Sequence, residues 1–213
     1  SAISWHGTHV SGTVVGDNYA TLSTATTGGH NAGDGMAPNA KLIFQDAGDT
    51  AGCLSGLSND NYLIYQQAYD AGARVHNNSW GSDAQGAYTA DSEVVDQFMY
   101  DYEDFTLFFS NGNSGGTGTV GSPATAKNCV SVGATVNGSA GANTIASYSS
   151  RGPTTDGRRK PEICAPGSSV VSAAGTTSHT DNNCGTKTLS GTSMSSPTAA
   201  GGATLLRQYF TDG

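Results

Sequence analysis

Apolar and polar positions change their rhythm several times along the middle of the chain. KLIFQDA (41–47) is a short apolar run that predicts a buried strand, and SNDNYLIYQQAYDAG (58–72) predicts a helix with a polar cap and Gly72 as its stop. RVHNNSW (74–80) predicts the next strand. ADSEVVDQFMYDYED (90–104) then puts Val94, Val95, Phe98, Met99 and Tyr102 on one helical face, ahead of a strand at TLFFS (106–110). The aromatic residues of this helix, Tyr100 and Tyr102 included, read as core. Strands alternating with helices over short links predict a parallel sheet covered on both faces, with sites at the carboxyl ends of its strands. Further strands are expected around CVSVGA (129–134), EICAP (162–166) and SVVSAA (169–174). The small-residue pattern TAAGGATLLRQYF (198–210) predicts a closing helix, and THVSGTVVG (8–16) a short buried one. Residues 17–40 lack periodicity and read as a surface loop ending in the turn Ala37-Pro38-Asn39, with His30 solvated in it.

Composition narrows the class. A chain of 213 residues supports one domain, residues 1–213, with a sizeable core. Only 12% of residues are charged and 30 are glycine, which excludes a coiled coil or a disordered tail. The net charge of −8 and scattered cations leave no nucleic-acid footprint, and Arg158, Arg159 and Lys160 read as a solvated turn. No apolar run is long enough for a membrane span. Cys129 and Cys164 sit in apolar runs and read as buried free thiols. Cys53 and Cys184 lie in polar, glycine-containing loops, where a bridge between them would pin two segments in an oxidising compartment and favour secretion.

The candidate chemistry centres on GTSMSSP (191–197), at the entrance to the closing helix. A serine hydroxyl becomes a nucleophile only where the backbone presents it to a cleft and a base takes its proton. Ser193 has such a setting: Gly191 permits a tight approach, Pro197 fits a first helical turn, and a helix N-terminus directs N–H groups at developing negative charge. Taken alone, the motif equally describes a helix cap. Likewise, Gly112-Asn113 alone is a turn, and a histidine alone is a core residue.

Three motifs in order change that balance. HGTHVSG (6–12), NGNSGG (111–116) and GTSMSSP (191–197), with VHNNSWG (75–81), SPATAKNCVSVGA (122–134), SYSSRGP (147–153) and KPEICAPG (160–167) between them, resemble the subtilisin-like serine proteases, the subtilases. The resemblance implies a three-layer α/β/α fold with a mostly parallel central sheet, here truncated at both ends. It implies Ser193 as nucleophile, His6 as general base, and Asn113 as an oxyanion donor beside the Ser193 backbone N–H. Spacing makes His9, one turn after His6, a core residue bonded to backbone. Ser79, Trp80 and Gly81 are expected to pair with an extended peptide, and Ser110, Asn111 and Gly112 to line the first specificity pocket. Small residues there favour broad endopeptidase specificity over a demand for one charge. Trp5 departs from the small residue usual before this histidine.

The acid of the triad is missing. In subtilases it precedes the histidine on a central strand, in an Asp-Thr-Gly or Asp-Ser-Gly motif; only five residues precede His6 here, so it is expected upstream and the isolated chain is expected to be nearly inactive. Structural calcium is a further implication of the resemblance. Asp17, Asp34, Asp46, Asp49, Asp60, Asp83 and Asp91 are loop acids, but no EF-hand-type loop can be read, and neither zinc nor an organic cofactor is supported. The expectation is a secreted or extracytoplasmic monomeric endopeptidase acting on proteins or peptides. The alternative is an inactive relative whose cleft serves peptide binding or scaffolding. A serine esterase of another fold lacks its G-x-S-x-G elbow.

Overall fold

The computed structural model describes residues 4–17, 33–48, 54–57, 60–138, 141–176 and 185–212. Cys53, Cys184, His30 and Asp49 therefore lie outside the described residues. Four strands, β1 (Val75–Asn78), β2 (Thr106–Ser110), β3 (Val130–Thr135) and β4 (Ile163–Pro166), form a parallel sheet in sequence order. An antiparallel ribbon of β5 (Val170–Ala173) and β6 (Thr186–Leu189) stands apart from it. Sequence patterning missed β6, whose TKTL has neither a long apolar run nor a turn signal.

β2 shows why both faces are covered. Successive side chains of a strand point to opposite sides. Leu107 and Phe109 enter one core with Tyr65 and Ala68 of α2 (Asn61–Asp70) and Val95 and Phe98 of α3 (Ala90–Asp101). Phe108 enters the other, with Val132, Ala165 and Ala200 of α4 (Thr192–Asp212). In the first core the Phe98 ring lies edge-on to Phe105 at 5.3 Å and stacks on Tyr102 at 4.5 Å. Rings enclosed this way contribute about 2–3 kcal/mol each through burial. The expected helix limits hold: Asp60 accepts from the Tyr62 N–H at 3.1 Å, and Gly72 takes the positive φ of +100° that ends α2.

Several expectations are corrected. Residues 41–48 form no strand, and Leu42, Ile43 and Phe44 are exposed because no described strand pairs with them. Tyr100 is 74% exposed, on the outer face of α3. Cys129 is buried as expected, but Cys164, on the last strand of the sheet, is exposed. Lys160 is not in a solvated turn: its ammonium, almost fully enclosed, lies 2.6 Å from Glu162 Oε1 and 3.8 Å from Cys129 Sγ. Arg158 is half-buried, bonded to Asp156 and to the Thr125 carbonyl. The cluster read as cationic solvent-facing charge because sequence does not show that Glu162 turns back onto it.

His76 on β1 is a pH-sensitive element of this core. Its ring packs edge-on against Tyr65 at 5.6 Å, and burial lowers its pKa to about 4. Depressed in the folded state, this group contributes stability that is fully present above about 6.5, the unfolded value, and is lost as pH falls towards 4. The shift corresponds to about 3 kcal/mol. The urea midpoint should fall between pH 7.5 and pH 4.5, and His76→Leu should flatten that slope; an unchanged slope in the variant would contradict the assignment.

Candidate active site

Helix α1 (Ser4–Val15) carries both histidines of the first motif, and its docking explains their different fates. His9 is fully buried and directs Nε2 at the carbonyls of Val170, 3.1 Å away, and Lys187, 3.0 Å away. Two carbonyl acceptors require the hydrogen on Nε2. His9 thus pins α1 to the β5–β6 ribbon, as its position one turn after His6 suggested. Gly12 allows the approach, since a Cβ there would meet Ala173 Cβ at 2.8 Å. His6 lies in the first turn of α1 and is partly exposed. Burial, then the neighbouring His9, lowers its pKa below the ordinary 6.5, so its neutral, proton-accepting form persists at neutral pH. No carboxylate among the described residues contributes to that shift. Trp5 is exposed, with the Lys187 ammonium 4.0 Å from its ring centroid.

The serine motif is presented differently from what its sequence suggested. Pro197 is the sixth residue of α4, past the first turn. A proline there cannot donate to the carbonyl four residues earlier, which is that of Ser193. The Ser79 hydroxyl fills the vacancy, donating to the Ser193 carbonyl at 2.9 Å. Ser79 is held in turn by Asn77 Nδ2 at 3.0 Å, and Asn77 Oδ1 accepts from Ser196 at 2.7 Å. The end of β1 and the first turns of α4 are thereby closed into one ring of polar contacts. Within residues 191–197 only Ser193 is partly exposed; the other six are buried. Its Oγ donates to the Ser79 carbonyl at 3.3 Å.

Asn113 stands beside it. Its Oδ1 accepts from the Thr192 N–H at 2.8 Å and the Thr192 hydroxyl at 3.0 Å. Because a backbone N–H can only donate, these bonds fix which amide atom is oxygen and leave Nδ2 with both hydrogens to offer elsewhere. Gly112 sets the approach: it has φ of +110°, and a Cβ would lie 2.8 Å from Ser150 Oγ. Thr192 was not singled out from sequence, although its place beside Ser193 is the signal that could have found it.

A cleft of about 250 Å³ is lined by Ser79, Trp80, Gly81, Ser110, Gly112, Asn113 and Ser193, so two of the three expected catalytic side chains and five of the six expected substrate-binding residues meet there. Asn111 does not line it. It is fully buried, and its amide donates to the Ser150 carbonyl, supporting the cleft from behind. His6 is also absent from this lining; its helix α1 packs against α4 and β5. Asp83, Thr119 and Ser122 join the lining without having been expected. They follow the strands by several residues, where sequence spacing loses track of the chain.

Among the described residues no three His, Cys, Asp or Glu side chains come together to hold an ion. Asp60 caps α2, Asp46 accepts from the Gly48 N–H, and Asp91 accepts from Asn61.

The model of the Subtilase family matches residues 1–212. This chain belongs to the subtilase family. As a subtilase it is 31% identical to the serine protease AprX of Bacillus subtilis, over 97% of this chain and 49% of AprX. It is also 31% identical to the "Serine protease/ABC transporter B family protein tagD" of Dictyostelium discoideum, over 98% of this chain and 16% of that protein. Among solved structures, sphericase superposes with a TM-score of 0.67 at 29% identity, covering 93% of this chain and 62% of sphericase. The subtilase chain thus spans half or less of these curated relatives and under two thirds of that structure. Its mostly parallel sheet with flanking helices is the subtilisin-like α/β fold. No helix among the described residues is long and apolar enough to cross a membrane.

Proposed function

We propose that this subtilase chain forms most of the catalytic domain of a serine endopeptidase. Ser193 attacks the peptide carbonyl carbon, His6 takes the hydroxyl proton and passes it to the leaving amine, and water hydrolyses the resulting acyl-enzyme. Asn113 Nδ2 and the Ser193 backbone N–H donate to the tetrahedral oxyanion. The observation that carries this reading is the pair of hydrogen bonds from Thr192 to Asn113 Oδ1, because it holds an amide donor next to the one partly exposed side chain of the serine motif.

The acid that orients His6 comes from outside this chain, on a strand laid along the free edge of β1. The exposed Leu42-Ile43-Phe44 strip supports that placement, as does a His6 pKa shift to which no carboxylate among the described residues contributes. Such an acid favours the Ser193–His6 hydrogen bond over the present bond to the Ser79 carbonyl. Protein or peptide substrates and an extracytoplasmic location complete the reading. The test is hydrolysis of a quenched-fluorescence peptide by the full-length protein, with cleavage lost on treatment with phenylmethylsulfonyl fluoride. Cleavage that survives the reagent, or no cleavage by a folded full-length protein, would contradict it.

A further inference from the structure

The substrate class of this cleft is marked by its charge. Among the described residues thirteen line it, and Asp83 is the one charged side chain of these. We propose that Asp83 gives the cleft a preference for peptides carrying lysine or arginine at the residue whose carbonyl reaches Ser193, an inference that rests on the cleft being the peptide site of the preceding section.

Asp83 is firmly mounted. Just before it, Ser82 and Ser122 exchange backbone hydrogen bonds at 2.8 and 3.0 Å, which makes the segment a strand-like wall of the cleft. Just after it, the turn closes through the Ala87 N–H to the Ala84 carbonyl at 2.9 Å, and the Gly86 N–H is bonded to the Val120 carbonyl at 2.8 Å. Gln85 takes a positive φ of 48° in this turn, and its amide donates to Asp83 Oδ1. A neutral amide holds the carboxylate in place without cancelling its charge, and leaves Oδ2 for a further donor.

The other polar groups of the cleft do not compete for this role. The Ser122 hydroxyl is shared with Thr89 at 2.5 Å and Ser92 at 3.2 Å, and the Thr119 hydroxyl donates to the Gly115 carbonyl at 2.5 Å. Several cations of the chain are engaged with other groups: Arg158 pairs with Asp156, Lys160 with Glu162, Lys127 sits over the Tyr88 ring, and Arg151 Nε donates to the Gly116 carbonyl at 3.2 Å. None of the ion pairs among the described residues involves Asp83. Trp80 and the glycine walls offer apolar surface for the aliphatic stem of a lysine or arginine, while the charged head stays hydrated near the carboxylate. The net charge of −8 adds long-range attraction of the same sign. Asp83 is exposed, so the preference is graded, and the small-walled pocket continues to admit uncharged residues.

Binding tests this apart from turnover. In full-length protein carrying Ser193→Ala, the affinity for a peptide with lysine at the key residue is compared by fluorescence polarisation with that for its norleucine counterpart. The lysine peptide should bind about fivefold more tightly at low salt, with the difference shrinking in 1 M NaCl. Adding Asp83→Asn should abolish the difference while keeping norleucine affinity, and Asp83→Glu should retain it. Equal binding of the two peptides, a preference that survives Asp83→Asn, or no binding of either overturns the inference. Parallel turnover by the protein with Ser193 intact reports separately on proteolysis: binding preference without cleavage would remove the protease reading and leave the Asp83 assignment standing.

Discussion

Replacing Ser193 with alanine in the full-length protein is expected to lower kcat on the order of 10⁶-fold, the figure measured for loss of the serine in subtilisin and not one derived from this structure. The direction and selectivity of the loss do follow from the present geometry. Ser193 is the partly exposed side chain of its motif, and its Oγ has only a 3.3 Å bond to the Ser79 carbonyl. Removing that oxygen therefore costs little folding energy, because no buried partner is left unsatisfied and the Ser79 hydroxyl still reaches the residue 193 carbonyl. KM and the thermal midpoint should stay close to those of the unaltered protein. Steady-state kinetics with calorimetry checks this; a variant that keeps a tenth of the activity would exclude Ser193 as nucleophile.

The second large effect is at Asn113. Asn113→Ala should reduce kcat by about 10²–10³-fold with KM nearly unchanged, as expected when a donor acts on the oxyanion and not on the ground-state carbonyl; that range comes from the equivalent loss in subtilisin. The substitution also frees the Thr192 N–H and hydroxyl, both of which end on Asn113 Oδ1. Thr192→Val separates these contributions. It removes the hydroxyl bond but keeps the backbone N–H bond, so it should cost far less than Asn113→Ala. Kinetics of both variants on one peptide series measures the difference, and equal losses would mean that Asn113 acts by holding the loop and not by binding the oxyanion.

Sequence reading was most successful where periodicity or a glycine set the backbone. α2 and α3 lie where their apolar spacing placed them, and β2 shows its alternation in the opposed burial of Leu107 and Phe108. His9 was legible as core because it falls one turn after His6 on a small-residue helix. Where a strand's partner was needed, reading failed: 41–47 has strand composition, yet a strand exists only when a neighbouring strand takes its hydrogen bonds, and no strand among the described residues pairs with it. Charge was misread for the same reason. Lys160 became a buried ion-pair partner through the return of Glu162, and Asn111 a buried support through Ser150, contacts that no local pattern encodes. Asp83 reached the cleft through the Ser82–Ser122 bridge, a pairing 40 residues distant in sequence.

Ser193 is proposed as a nucleophile activated by His6 and completed by an acid outside this chain. Its most direct test is labelling by an organofluorophosphonate, located by peptide mass spectrometry, on this chain and on the full-length protein. Weak or absent label is expected on this chain, and rapid, stoichiometric label on Ser193 in the full-length protein, abolished by His6→Ala. A full-length protein that folds but takes no label at Ser193, or takes it equally well without His6, would contradict the account.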